Sequence, residues 1–89
     1  MSTEKLKTDL IITSIQCKAA RNLLEWKQED LSKNSGIGMS TIANFERKKI
    51  NPISRTLKEL KATFEEAGIE FENSEEGIGL RLSKKNEDS

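Results

Sequence analysis

Hydrophobic residues recur at helical spacing along most of the chain, and at a spacing of two near its end. The first helical stretch begins after Thr13. Thr13 and Gln16 are three residues apart, which is the spacing of a capping box at a helix start. The helix runs to about Leu24. Spacings of three and four predict an inward stripe on this helix. That stripe comprises Ile15, Ala19, Ala20, Leu23 and Leu24.

The stretch from Gln28 to Arg47 has the pattern of two short helices separated by a glycine. Leu31 is the single apolar contact of the first helix. Gly36 ends it, because glycine adopts the left-handed conformation without a Cβ clash. The second helix begins two or three residues later and places Ile42 and Phe45 on one face.

The opposite face of this second helix is polar, and its residues are candidates for binding a partner. It carries Met39, Ser40, Ala43 and Asn44, and the basic run from Arg47 to Lys49 follows it. Two short helices with one buried face and one polar face fit a helix-turn-helix, whose second helix enters the major groove of DNA. Trp26, in the link before the pair, is expected to fill a gap between helices rather than to stack on a base.

A further helix follows the loop around Pro52. Ser54 or Thr56 is expected to cap it, and Gly68 to end it. Its buried stripe is predicted to contain Leu57, Leu60, Phe64 and Ala67. Basic residues on its outer face could reach a phosphate backbone or could simply be solvated.

The period then changes to two, which predicts a β-hairpin over residues 69–82. Ile69 and Phe71 alternate, residues 73–77 have turn chemistry, and Ile78, Leu80 and Leu82 alternate again. The apolar face must pack on the helices or on a second subunit, because an isolated hairpin is only marginally stable. An exposed edge strand could also pair across a two-fold axis.

The predicted fold is therefore mainly α, with about four helices followed by a small C-terminal hairpin. We expect a flexible N-terminal arm at 1–12, a helix-turn-helix domain at 13–68, the hairpin extension at 69–82 and a disordered tail at 83–89. An arm that reaches toward DNA is the alternative for the first segment, although Glu4 and Asp9 offset its two lysines.

Composition excludes several classes of chemistry. The chain has no histidine and one cysteine, so Cys-His and Ser-His-Asp catalysis and multi-cysteine metal sites are excluded. We expect no enzyme activity, no catalytic residue, no metal and no cofactor. No apolar run approaches the ~20 residues that span a bilayer, and the start lacks a signal-peptide pattern. We therefore expect a cytoplasmic protein with no membrane partner.

The zero net charge conceals an asymmetry. Residues 1–61 carry 12 Lys/Arg and 7 Asp/Glu, a net charge of +5, whereas residues 62–89 carry 3 and 8, a net charge of −5. A basic part that binds a polyanion and an acidic part turned away from it would explain this division. Random scatter of surface charge is the alternative.

From Thr13 to Leu82 the chain resembles the phage-repressor-like, or Xre, family of bacterial and phage helix-turn-helix regulators. The resemblance is carried by many motifs at the spacing of the family. These are Ala19-Ala20-Arg21, residues 26–31 (Trp-Lys-Gln-Glu-Asp-Leu), Ser35-Gly36-Ile37, Ser40-Thr41-Ile42, Phe45-Glu46-Arg47, Pro52 and Thr56-Leu57. The motifs at 65–71 and 79–82 resemble a subgroup with a short β extension. The fold implied is a lambda-repressor-like bundle.

The resemblance also implies roles for individual residues. Those expected to read bases are Met39, Ser40 and Asn44. Those expected to contact phosphates are Gln28, Thr41, Arg47, Lys48 and Lys49. Arg21 and Glu46 are expected to form a structural ion pair between the first and third helices. An idle solvent face is the alternative for the base-reading set, and an ordinary polar helix start for Gln28.

Three residues depart from the family pattern. Lys27 replaces a Ser/Thr cap before the second helix, which weakens that helix start. Gly38 stands where a serine commonly caps the recognition helix. Lys48 stands where a glycine commonly ends that helix, so it adds charge but carries a cost if a left-handed conformation is needed.

The function implied is that of a sequence-specific transcriptional regulator, expected to be a repressor. It would act as a homodimer on a palindromic double-stranded DNA operator, in a bacterial or phage cytoplasm in association with the nucleoid. The alternative is an antitoxin-like or adaptor protein, whose hairpin and acidic tail bind a toxin or another regulator and whose basic face still contacts DNA. RNA binding is disfavoured, because no aromatic-studded strand is available for base stacking.

Overall fold

The computed structural model describes residues 11–74 and 77–82 of the chain. It contains four helices, α1 (Ser14–Leu23), α2 (Gln28–Ser35), α3 (Met39–Glu46) and α4 (Ser54–Glu66), followed by strands β1 (Ile69–Ser74) and β2 (Gly77–Leu82). This order confirms the predicted fold class. The predicted tail at 83–89 and most of the predicted arm lie outside the described residues.

Local capping chemistry explains where the first two helices begin and end. The Thr13 hydroxyl accepts a hydrogen bond from the Gln16 amide and the Gln16 carboxamide accepts one from the Thr13 amide, both at 3.0 Å, as the capping box predicts. Helix α2 ends at Gly36, whose φ of +80° lies in the left-handed region.

The predicted cap of α4 is wrong. Ser54 is already the first helical residue, and the capping position falls on Ile53, which makes no side-chain capping bond. A capping side chain must precede the helical backbone to reach the first free amides, so neither Ser54 nor Thr56 serves. The stripe of this helix is confirmed at Leu57, Leu60 and Phe64, which are buried.

The core is one cluster in which each helix and the hairpin take part. Its buried hydrophobic residues are Ile12, Cys17, Ala20, Leu31, Ile42, Phe45, Leu57, Leu60, Phe64 and Ile69. Ile12 is the last residue of the predicted arm, but its side chain is only 2% exposed and belongs to the core. The packed part of the chain therefore begins before Thr13. The helical pattern begins at Thr13, so it contained no signal that the preceding residue also packs.

The inward stripe predicted for α1 is wrong at Ile15 and Leu23, which are 55% and 43% exposed. Ala20 is buried and Leu24 packs partly buried against the core, as predicted, but Gln16 and Cys17 are buried as well. The helix is rotated because its polar side chains have partners. Gln16 is held by the capping box, and the opposite flank carries the contacts to α3 described below. The spacing of hydrophobic residues alone does not predict those hydrogen bonds, and so it does not predict which face of α1 is buried.

The two strands pair antiparallel from Ile69↔Leu82 to Ser74↔Gly77. The connection is therefore residues 75–76, shorter than the predicted turn at 73–77, and it lies outside the described residues. The apolar face of the hairpin packs on the helices of the same chain, which was one of the two predicted possibilities. Ile69 is buried, and Phe71, Leu80 and Leu82 pack partly buried against the core.

Aromatic rings join the helices to the hairpin. Trp26 stacks on Phe64 with ring centroids 6.0 Å apart, and Phe64 meets Phe71 edge-on at 6.3 Å. The prediction that Trp26 fills an inter-helix gap is confirmed, since it packs partly buried against the core. Within the described ranges, no helix is long and apolar enough to cross a membrane.

Candidate nucleic-acid interface

Helix α3 is anchored by Ile42 and Phe45, both buried, and it turns its other side chains outward. Met39 is 47% exposed. Ser40 is also exposed, and Thr41 and Asn44 are half-buried. The structure thus brings the residues predicted to read bases onto one accessible part of a single helix.

The start of α3 is held only by backbone geometry. Gly38 occupies the capping position and has no side chain to accept from the first amides. A Cβ at this position would meet no atom within 4 Å, so space does not require a glycine here. The first turn consequently lacks the side-chain bond that a serine would supply.

The basic run follows directly. Arg47, Lys48 and Lys49 are exposed in the turn that ends α3, and the amide of Lys49 donates to the Asn44 carbonyl at 2.8 Å. Lys48 has a φ of +63°. The backbone here is therefore in the left-handed conformation that glycine favours, although lysine has a Cβ. Its cost is about 1–2 kcal/mol. A position that presents charge here is therefore also a strained one.

The helix pair is fixed to α1 by a bidentate ion pair. Arg21 Nε donates to Glu46 Oε2 and Arg21 Nη2 to Glu46 Oε1, each at 2.9 Å. The two side chains are 12% and 4% exposed. The remaining guanidinium nitrogen, Nη1, donates to the carbonyl of Trp26 at 2.9 Å. One arginine therefore binds the end of α3 and the link before α2 together.

Two more side chains converge on the same carboxylate. Gln28, the first residue of α2, donates from Nε2 to Glu46 Oε1 at 3.1 Å. The Cys17 thiol lies 3.4 Å from Glu46 Oε2. Sequence reasoning assigned Cys17 no such contact, although its spacing of four residues from Arg21 places both on one flank of α1. Glu46 thus ties α3 to α1 and α2.

These contacts change the protonation chemistry of the cluster. Burial acts to raise the pKa of Glu46, but the hydrogen bonds from Arg21 and Gln28 and the charge of Arg21 outweigh it, so the pKa is lowered. The hydrogen bond to Glu46 raises the pKa of Arg21. Burial, and then the negative charge of Glu46, raise the pKa of the Cys17 thiol. The carboxylate is therefore ionised and the thiol protonated at neutral pH.

We expect the stability that depends on Glu46 to be lost in acid. A carboxyl whose folded pKa lies below its ordinary value of 4.5 stabilises the fold above that value. This stability disappears as the pH falls through the folded pKa, because the unfolded chain binds the proton more readily. Urea unfolding between pH 7 and pH 3 of the wild type and of Glu46→Gln measures it. The difference in unfolding free energy should shrink below pH 4.5; a constant difference would contradict the assignment.

The start of α2 has half of a capping box. Lys27 holds the capping position without a side-chain bond to the first amides, as expected from its departure from the family pattern. The Asp30 carboxylate accepts from the Lys27 amide at 2.8 Å, which supplies the reverse half. Helix α2 therefore keeps one capping bond, next to the Gln28 that is predicted to hold a phosphate.

Comparison with known proteins gives one finding about the family. The sequence profile of a family described as "Helix-turn-helix" matches residues 18–65, which include α2, α3 and most of α1 and α4. A comparison with curated proteins found no match. The match covers more than half of the chain and agrees with the four helices. The chain therefore belongs to the lambda-repressor-like, or Xre, helix-turn-helix family, whose members are DNA-binding regulators of transcription and are generally not enzymes.

Proposed function

We propose that this protein is a transcriptional repressor that binds a palindromic operator as a homodimer. The observation that supports it most is the exposed face of α3, which presents Met39, Ser40 and Asn44 and is followed by three exposed basic residues. A helix that is held by Glu46 on its inner side and polar on its outer side suits insertion into the major groove. Occupation of a promoter by the dimer would block transcription there, in the cytoplasm.

Base readout is proposed for the α3 residues. The carboxamide of Asn44 can pair with adenine through a donor and an acceptor together, Ser40 can bond to several bases, and Met39 can contact a thymine methyl. One domain makes few such contacts. Two half-sites about one helical turn apart would therefore be needed for high specificity.

Phosphate contact is proposed for Gln28, Thr41, Arg47, Lys48 and Lys49. Such contacts position a protein on DNA without reading its sequence. The carboxamide of Gln28 already donates to Glu46. A phosphate bound there would couple the DNA backbone directly to the cluster that holds α3. Exposure of the three basic side chains leaves them free to reach the backbone on the same side.

The substitution Lys48→Gly should stabilise the fold and weaken DNA binding together. Glycine relieves the left-handed strain, a net gain of about 0.5–1 kcal/mol after the entropy of the unfolded chain is allowed for. Loss of one phosphate contact should lower affinity for every duplex alike and reduce the slope of log affinity against log salt by about 1. Thermal melting and fluorescence anisotropy with labelled duplexes measure both effects.

Lys49→Gly is the matched control. It removes the same charge from the neighbouring position, whose φ is not in the left-handed region, so it should weaken DNA binding without raising the melting temperature. Duplex binding by the wild type that does not depend on salt, or unchanged affinity in both variants, would contradict the proposed phosphate contacts.

The antitoxin-like alternative has no structural observation in its favour. The hairpin was one of the elements expected to engage a partner protein, but its residues Ile69, Phe71, Leu80 and Leu82 pack against the core of the same chain. We therefore advance only the DNA-binding proposal.

A further inference from the structure

The turn between α2 and α3 is held by two serine hydroxyls of α2. Ser32 Oγ donates to the carbonyl of Ile37 at 2.7 Å, and Ser35 Oγ accepts from the amide of Ile37 at 3.1 Å. Both backbone polar groups of Ile37 are therefore bonded to side chains of the preceding helix. We call this pair of serines the serine clamp.

Ile37 is fixed at a third point by packing, because its side chain lies partly buried against the core. The residue before it, Gly36, is in the left-handed conformation and donates from its amide to the Ser32 carbonyl at 2.9 Å. Ser32 thus binds Gly36 through its carbonyl and Ile37 through its hydroxyl. One serine connects the end of α2 to two successive residues of the turn.

The clamp acts at the point where the chain enters α3. Helix α3 begins at Met39, and the capping position between Ile37 and Met39 is Gly38, which has no side chain to bond to the helix start. Glycine populates a wide range of backbone angles, so it does not fix the direction of the chain by itself. A peptide unit is planar, and holding the Ile37 carbonyl therefore fixes the plane that joins Ile37 to Gly38.

We propose that Ser32 and Ser35 are positioning residues for base readout. They set the orientation of the first turn of α3, which carries Met39 and Ser40, and they do so from outside the face that meets DNA. Bonds to base edges depend on distance and angle, so a reading helix must be held by supporting contacts. The inference rests on the DNA-binding function proposed above and assigns part of its sequence specificity to the clamp.

The effect of the clamp should be confined to one end of α3. Glu46 anchors the opposite end to α1 and α2, and the basic residues 47–49 proposed to contact phosphates follow there. Loosening of the first turn lowers the fraction of molecules whose α3 is oriented for base contact, and apparent affinity for the operator falls with that fraction. Affinity for an unrelated duplex depends on phosphate contacts and should not change.

The test compares Ser32→Ala with Thr63→Val. Each removes a hydroxyl that donates to a backbone carbonyl, at 2.7 Å in the turn and at 2.8 Å within α4. Anisotropy titrations use the operator duplex recovered by selection from a random library and a duplex of the same composition in shuffled order. Ser32→Ala should lower operator affinity about 3- to 10-fold per half-site, as expected for one net hydrogen bond. It should leave the shuffled duplex unaffected, and Thr63→Val should change neither affinity.

Thermal melting separates positioning from stability. Ser32 and Ile37 are half-buried, so water can replace the lost hydroxyl, and alanine is a strong helix former at position 32. The melting temperature of Ser32→Ala should therefore stay close to that of the wild type.

Amide hydrogen exchange of the free protein, followed by NMR, tests the clamp without DNA. Ser35→Ala should speed exchange of the Ile37 amide about tenfold, because its acceptor is lost. The Leu31 amide, which donates to the Lys27 carbonyl at 3.2 Å, should keep its rate. Ser35→Ala should also lower operator preference as Ser32→Ala does. Unchanged exchange at Ile37 would show that the hydroxyl does not hold this amide and would overturn the proposal.

The DNA titrations can fail in distinguishable ways. Equal loss of affinity for both duplexes in Ser32→Ala, with a lower melting temperature, would make the clamp a structural feature and overturn its positioning role. Full operator preference in both alanine variants would also overturn it and leave the DNA-binding function intact. A wild type that binds the two duplexes alike would overturn base readout by α3, and the positioning role with it.

Discussion

Glu46→Ala is expected to destabilise the domain by about 3 kcal/mol, because it leaves the guanidinium of Arg21, whose side chain is only 12% exposed, without its charged partner. The loss is large for a chain of this size, whose total stability is expected to be about 5–10 kcal/mol. Gln28 and Cys17 lose their acceptor in the same step. Helix α3 would then be held to α1 and α2 mainly by Ile42 and Phe45, so DNA binding should fall together with the melting temperature.

Two controls separate this effect from the loss of any ion pair. Glu70→Ala removes the carboxylate of the Glu70–Arg81 pair, which has the same 2.9 Å distance but side chains that are 48% (Glu70) and 67% (Arg81) exposed. It should cost less than about 1 kcal/mol. Glu46→Gln keeps an acceptor but no charge and should fall between the two. Equal melting of Glu46→Ala and Glu70→Ala would remove the cluster from the explanation of the fold.

Asn44→Ala is expected to remove preference for the operator without weakening the fold. A carboxamide that pairs with adenine contributes about 1–3 kcal/mol of discrimination, so affinity for the selected operator should fall about 10- to 100-fold per half-site. Affinity for an unrelated duplex should stay constant, because its phosphate contacts are intact. The side chain is half-buried on a helix that alanine favours, so thermal melting should change little.

Lys49→Gly supplies the contrast for this substitution. It should weaken binding to operator and unrelated duplex by the same factor, since a phosphate contact carries no sequence information. Anisotropy titrations of both variants against both duplexes would show the two patterns. A uniform loss in Asn44→Ala would place that residue among the backbone contacts rather than the base readers.

Much of the fold follows from sequence because its elements are fixed by local chemistry. Gly36 ends α2 in the left-handed conformation, Thr13 and Gln16 close a capping box, and the change of period at Ile69 marks the hairpin. These features depend on residues a few positions apart. The identities and spacing of neighbouring residues are therefore enough to predict these features.

The rotation of α1 could not be predicted in the same way. Its apolar residues form two overlapping stripes, and the choice between them depends on a carboxylate 25 residues away at Glu46. Cys17 shows the same limit, because nothing local distinguishes a thiol that packs near a buried acid from any small helix residue. Contacts between distant residues decide these details.

The polar face of α3 could be predicted in position but not in role. Helical spacing places Ser40 and Asn44 away from Ile42, and the structure agrees. A solvent-facing helix and a base-reading helix have the same pattern of polar residues, however. Only the identity of a bound DNA sequence separates them, so these roles remain predictions.

Selection from a random duplex library with the purified protein, followed by sequencing of the retained DNA, tests sequence-specific recognition by a dimer most directly. We predict a two-fold symmetric motif whose half-sites are about 10 bp apart. This motif should be lost with Asn44→Ala. Retention that depends on salt but yields no shared motif, or a motif that Asn44→Ala leaves unchanged, would contradict base readout by α3.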